Sequence, residues 1–172
     1  MRRVRAFCLL AACSAAPALA QTVPSGPVSL GGDLGIFAPF SNGSGSSFTA
    51  RFTADVYAWN PTGLRFTAGF ANPTLGDAPD DARADMIYVT GGAIRRLAGS
   101  TYRPYVHGGV GIYHFSGDRS GTDLGVSAGA GFEVPFGLGG ATLTPELTAH
   151  VVSGDGPRFS LALTVGLHTR PR

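Results

Sequence analysis

The chain has 172 residues, a length that suggests one domain, and its 14% charged content lies well below the roughly 25% of an ordinary soluble domain. Its 26 glycines and 12 prolines exclude a mainly helical protein, and the abundant Phe, Val, Leu and Tyr beside them exclude a disordered one. All 13 basic residues are Arg and the formal net charge is +2, with no basic tract, so nucleic acid is not an expected partner.

The N-terminus reads as an export signal. Met1 to Arg5 carries three arginines, Ala6 to Ala18 is apolar but too short to span a bilayer, and Ala18-Leu19-Ala20 satisfies the small-x-small cleavage rule. Residues 1–20 are therefore expected to be a signal peptide, 21–28 a lead-in, and 29–172 the folded domain. A second reading of the leader is open: Leu10-Ala11-Ala12-Cys13 matches a lipobox, in which Cys13 would be lipidated. Both cysteines, Cys8 and Cys13, lie in the leader, so cleavage after Ala20 leaves no disulfide, thiol nucleophile or Cys-based metal site.

Beyond the lead-in no run of 18 apolar residues occurs, which excludes a transmembrane helix. Period-2 alternation predicts eight strands instead: Ser29–Phe40, Ser47–Trp59, Gly63–Ala71, Asp85–Leu97, Tyr102–Ser116, Thr122–Phe136, Ala141–Val152 and Arg158–Thr169. Most exceed the about 5–6 residues of a soluble strand and match the about 9–11 of a tilted membrane strand. Asn60-Pro61-Thr62-Gly63, Ala98-Gly99-Ser100 and Gly137-Leu138-Gly139-Gly140 read as tight turns. Between them fall polar loops at Ser41–Ser46, Asn72–Ala84, Gly117–Gly121 and Ser153–Pro157. Short turns on the side of the termini and longer loops opposite are the asymmetry of an outer-membrane barrel.

One face of each strand is apolar. In the second strand Phe48, Ala50, Phe52, Ala54, Val56 and Ala58 oppose Ser47, Thr49, Arg51, Thr53, Asp55 and Tyr57. The polar faces are rich in Gly, Ser and Thr where a soluble surface carries Lys and Glu. The fold class expected is all-β: an eight-stranded antiparallel up-and-down transmembrane β-barrel with its apolar face to lipid. Its lumen would hold Asp33, Asp55, Glu133 and Glu146 against Arg51, Arg65 and Arg103, a structural charge network in a barrel just wide enough for side chains to fill. Tyr102 and Tyr105 at one end of the fifth strand, and Tyr113 and Phe115 at the other, suggest interfacial aromatic belts. Their parity conflicts with Val106, Val110 and Ile112, which implies a bulge or a shifted register. The fourth strand, bulky at Met86, Ile87, Tyr88 and Val89, leaves its facing open.

Two segments carry a family resemblance. Tyr102-Arg103-Pro104-Tyr105-Val106-His107-Gly108-Gly109-Val110-Gly111 precedes Gly125-Val126-Ser127-Ala128-Gly129-Ala130-Gly131-Phe132-Glu133. This succession resembles the small bacterial outer-membrane barrel superfamily that includes OmpA-like and OmpX-like domains. The resemblance implies outer-membrane lipids and the barrel-assembly machinery as partners, with an extracellular ligand possible at the loops. Such barrels usually end on an aromatic residue, whereas this chain ends Gly166-Leu167-His168-Thr169-Arg170-Pro171-Arg172.

Reactive constellations are sparse. His107, His114, His150 and His168 show no metal-ligand spacing, and Asp77, Asp80 and Asp81 lack the calcium-loop pattern. Barrel-type lipid A deacylases resemble one another in a His-x-Ser pair near the outer end of a strand, and His150-Val151-Val152-Ser153 departs from it by one residue. No enzyme, cofactor or metal site is expected. Three roles stay in view: a structural or surface-exposed barrel, a small-solute channel, and a soluble exported lipid-binding barrel with its apolar face inward.

Overall fold

The computed structural model describes residues 28–40, 45–59, 61–73, 84–98, 102–117, 120–136, 141–154 and 159–169. The leader with Cys8 and Cys13, most of the lead-in, the three aspartates of the Asn72–Ala84 loop, Gly99, the turn at 137–140, and residues 170–172 lie outside them. Eight strands form: β1 (Val28–Pro39), β2 (Ser47–Trp59), β3 (Thr62–Ala71), β4 (Ala84–Arg96), β5 (Arg103–Gly117), β6 (Gly121–Phe136), β7 (Ala141–Val152) and β8 (Phe159–Thr169). They pair antiparallel with their sequence neighbours, and β8 pairs with β1 to close the barrel. Closure removes the unpaired strand edge that a bilayer would not tolerate.

Each strand lies within a residue of its expected bounds. The barrel end that holds the start of β1 and the end of β8 is called here the terminus end, and the opposite one the loop end. The loop end is not uniformly long-looped: β5 and β6 extend until only 118–120 separate them. Gly117, with φ of 120°, sits where β5 leaves the ladder, in a conformation suited to glycine.

Alternation sorts the side chains as amphipathicity dictates. Odd positions of β1, β2 and β3 point into the lumen, as do even positions of β7 and β8. The outward face carries Leu34, Ile36, Phe52, Phe66, Val89, Val110, Ile112, Leu124, Val126, Leu163 and Val165, all exposed. An apolar exterior over every strand is the surface of a protein dissolved in lipid. The inward-apolar arrangement of a soluble lipid-binding barrel is therefore not the one this chain adopts.

The aromatic reading of β5 is corrected. Its register with β4 and with β6 is continuous, without a bulge. Tyr105, Tyr113 and Phe115 point into the lumen and are at most 1% exposed. β4 resolves in the same way, with Met86 and Tyr88 inward and Ile87 and Val89 outward. Exposed aromatics at the barrel ends come from other positions: Phe40, Phe48 and Phe159 at the loop end, and Trp59, Tyr102 and Phe136 at the terminus end. Phe40 and Phe159 touch, with ring centroids 5.4 Å apart.

Glycine makes room for the large lumen side chains. Gly69 faces Tyr88 across the β3–β4 ladder, Gly125 lies beside Tyr113, and Gly131 lies beside Tyr105. A Cβ on Gly125 would sit 2.6 Å from Tyr113 Cε2, and one on Gly131 would sit 2.6 Å from Tyr105 Cζ. Gly32 points outward, and a Cβ there meets nothing within 4 Å. Gly69→Ala is expected to destabilise the barrel by about 1–3 kcal/mol through overpacking against Tyr88. Gly32→Ala should be silent. Urea unfolding in detergent, followed by heat-dependent gel mobility, distinguishes them; equal effects would refute the assigned facing.

Candidate functional site: the charged lumen

Cross-strand register brings the expected charges together before any long-range packing is needed. Asp33 lies opposite Arg51 in the β1–β2 ladder, and Asp55 lies opposite Arg65 in the β2–β3 ladder. Arg51 Nε contacts Asp33 Oδ2 at 3.2 Å. Arg65 grips Asp55 through two bonds, Nε to Oδ1 at 2.7 Å and Nη2 to Oδ2 at 2.8 Å. This fork geometry is among the strongest charge-assisted pairings.

Glu146, on β7 across the lumen, joins the two pairs. Its Oε1 forms an ion pair with Arg51 Nη2 at 2.7 Å, and its Oε2 accepts a hydrogen bond from Arg65 Nη1 at 2.5 Å. Thr148 Oγ1 and Tyr105 Oη each donate to it at 2.7 Å, and His107 Nε2 lies 3.0 Å from Oε1. Five side chains from four strands thus converge on one buried carboxylate. Asp33 is held similarly by Thr53 Oγ1 at 3.2 Å, Thr144 Oγ1 at 3.5 Å and His168 Nε2 at 3.0 Å. Arg65 also lies over the Tyr105 ring, 4.9 Å from its centroid. Beside the cluster, Arg65, Thr90, His107 and Ser127 line a cavity of about 10 Å³, the size of one water molecule.

Glu133 belongs to a separate group near the terminus end. Arg103 lies directly opposite it in register. The guanidinium that reaches it is nevertheless that of Arg96, with Nε and Nη2 at 2.8 and 2.6 Å from Oε1. Arg96 stacks over Tyr57 at 3.6 Å, and Tyr57 Oη donates to Glu133 at 3.4 Å. Arg103 is half-buried and enters none of the ion pairs among the described residues. Toward the loop end the lumen is aromatic instead. Tyr88 and Tyr113 stack at 5.6 Å, and His150 packs edge-on to both. Phe37, Met86 and Phe115 complete this layer.

Of the seven expected lumen charges, the structure places Asp33, Arg51, Asp55, Arg65 and Glu146 in one cluster, Glu133 in another, and Arg103 in neither. Arg96, His107, His168, Tyr57 and Tyr105 were missed as partners. Parity held the signal for Tyr57, Tyr105 and His107, which share a strand face with Asp55 or Arg103, whereas Arg96 and His168 lie on β4 and β8, which carry no expected charge.

The Ser/His/acid arrangement around His150 is not assembled. His150 faces the lumen with Nδ1 3.0 Å from Tyr113 Oη. Ser153 Oγ donates to the Leu124 carbonyl at 2.7 Å, and Glu146 is taken by arginine. His114 and Ser116, two residues apart on the outward face of β5, do have the His-x-Ser spacing. There His114 Nδ1 meets the Thr122 hydroxyl at 2.9 Å.

The outer membrane protein beta-barrel domain family model matches residues 6–167, and the chain belongs to that family. It is a bacterial outer-membrane barrel. Among solved structures it is similar to Neisserial surface protein A, at 18% identity over 83% of this chain and 96% of that one, with a TM-score of 0.66. It is similar to the Yersinia pestis outer membrane protein Ail in a phospholipid nanodisc, at 16% identity over 84% and 99%, with a TM-score of 0.51. A third likeness is to the outer membrane enzyme PagL, at 16% identity over 83% and 99%, with a TM-score of 0.50. At these identities the likeness is one of fold. Among curated proteins no sequence relative matches.

Removing Arg65 would strand the buried Asp55 carboxylate and take from Glu146 one of its two arginines. Arg65→Met is expected to cost about 3–5 kcal/mol, the loss typical when one partner of a buried pair is deleted. Arg103→Met should cost under about 0.5 kcal/mol, as for a surface change. Arg51→Glu, which adds a negative charge to the cluster, should lower the melting temperature; an unchanged value would show that the lumen charges are not coupled.

Proposed function

We propose that this protein is a non-enzymatic, structural or surface-exposed barrel of the outer membrane, with a lumen plugged by its own side chains. The observation that carries the reading is the Glu146 cluster. Arg51, Arg65, Tyr105 and His107 reach it from β2, β3 and β5, so the bonds cross the lumen. A solute would have to displace several of these charge-assisted bonds at once, and each ion left unpaired in a narrow lumen carries a desolvation cost of several kcal/mol. The aromatic layer of Tyr88, Tyr113, His150 and Phe37 then lies in series with that plug.

On this reading the exposed apolar belt holds the protein in lipid, and the loops present whatever the outside meets. Residues 1–20 act as the export signal, and the assembly machinery inserts the barrel. An extracellular ligand, if one exists, binds at the loop end and not in the lumen.

Planar-bilayer recording tests the plug directly. The purified protein is expected to insert without discrete single-channel steps at moderate voltage. Sustained, well-resolved conductance of the wild type would overturn the scaffold reading in favour of a small-solute channel. Carbonate washing of outer membranes should leave the protein in the pellet.

A further inference from the structure

We propose that Trp59, Thr62 and Arg95 form a binding site for the phosphate headgroup of an anionic phospholipid, on the lipid-facing surface at the terminus end of the barrel. That surface carries little charge. Among the described residues, the outward positions of the eight strands hold one arginine, Arg95, and one carboxylate, Asp85. Both lie on β4, ten positions apart, with Ile87, Val89, Gly91 and Ala93 between them on the same face. The interval is about 33 Å along the strand, or about 25 Å along the membrane normal at a tilt of ~40°, which is the height of the apolar band of such barrels. The two charges therefore mark the edges of the band, the carboxylate at the loop end and the guanidinium at the terminus end.

Register builds the rest of the site around Arg95. Thr62 of β3 lies directly opposite it, and Trp59 of β2 lies directly opposite Thr62. Directly opposed residues share a face and sit roughly 5 Å apart, so the three make one outward row about 10 Å long. Strict alternation would send Trp59 into the lumen with Tyr57. A register shift between Val56 and Trp59 reverses its facing, and the indole is 67% exposed. The turn between Trp59 and Thr62 is tied to β4, because the Arg96 amide donates to the Pro61 carbonyl at 2.9 Å.

The chemistry of the row selects an anion. Indole N–H, hydroxyl and guanidinium all donate hydrogen bonds, and the guanidinium fork matches two phosphate oxygens at once. No carboxylate competes for it. Arg95 enters no ion pair among the described residues, whereas Arg96, one residue on and facing the lumen, is held by Glu133. Depth selects a lipid. Leu97 and Tyr102, both exposed, lie nearer the rim than Arg95, and the ladder continues past it through the Leu97 amide, which donates to the Pro104 carbonyl at 2.8 Å. The guanidinium thus emerges where the apolar band meets the headgroups, the level at which acyl chains hold a lipid phosphate. This site lies outside the lumen and does not depend on whether the barrel conducts.

Trp59 is the only tryptophan of the chain, so its fluorescence reports on the site itself. The test places the purified protein in phosphatidylcholine vesicles in which a minority of the lipid carries brominated acyl chains, as phosphatidylglycerol in one series and as phosphatidylcholine in the other. Bromine quenches tryptophan on contact. Brominated phosphatidylglycerol is expected to occupy the place beside Trp59 about five-fold more favourably than brominated phosphatidylcholine, the preference that one surface arginine gives an anionic lipid. R95Q should bring the ratio to about one. D85N, at the other edge of the band, should keep the wild-type ratio. Heat-dependent gel mobility shows that each variant is folded. Equal quenching by the two lipids in the wild type would overturn the proposal, and so would a preference that survives R95Q. A shift of comparable size in D85N would assign the preference to net charge and overturn the site as well.

Discussion

The buried carboxylate of Glu146 is the constraint on which the interior depends. An ionised carboxylate removed from water survives only if its lone pairs are filled, and here two arginines, a tyrosine, a threonine and a histidine fill them. Meeting that requirement fixes the rotamers of Arg51 and Arg65. Those two then capture Asp33 and Asp55 on neighbouring strands. The demand also sets where bulk is forbidden. Gly129 lies beside His107 and Thr148, Gly131 beside Tyr105, and Gly166 beside Asp33. A side chain at any of them would push a donor away from its acceptor.

The lumen is thus filled in layers of different character. The central layer is ionic, the terminus end is closed by Arg96 lying over Tyr57, and the loop end is packed with aromatic rings. Each layer uses a different way to exclude water from a space too narrow for bulk solvent. The aromatic layer meets its polar demand only in part, since His150 Nε2 is buried without a hydrogen-bond partner among the described residues. Tyrosine and histidine can cross the lumen, pack their rings, and still find a partner, as Tyr113 does with His150.

Much of this was legible in the sequence because a strand encodes facing with a period of two. The eight strands, their antiparallel order and five members of the central cluster follow from parity alone. What parity does not encode is reach. Arg103 stands directly opposite Glu133, yet the longer path from Arg96 wins because that guanidinium gains a tyrosine face as well as a carboxylate. The aromatics of β5 were misread for a related reason. Tyr and Phe near strand ends suggest membrane interfaces, but parity already placed Tyr105, Tyr113 and Phe115 inside. The interior glycines of facing strands were the evidence that space existed for them.

The ion network need not add much net stability to be useful. A well-packed apolar lumen of the same volume could be as stable, since desolvation offsets much of the Coulomb gain. Its larger consequence is for register. A slip of one residue turns every inward side chain of a strand outward. For β7 that would move Glu146 and His150 toward lipid, and for β2 it would move Arg51 and Asp55. A lipid-facing Arg alone costs about 2–4 kcal/mol at mid-membrane, and the stranded lumen partners add their own penalty. Alternating apolar residues of similar size, such as Val and Ala along β6, would tolerate a slip far better. The charges therefore act chiefly as a register lock.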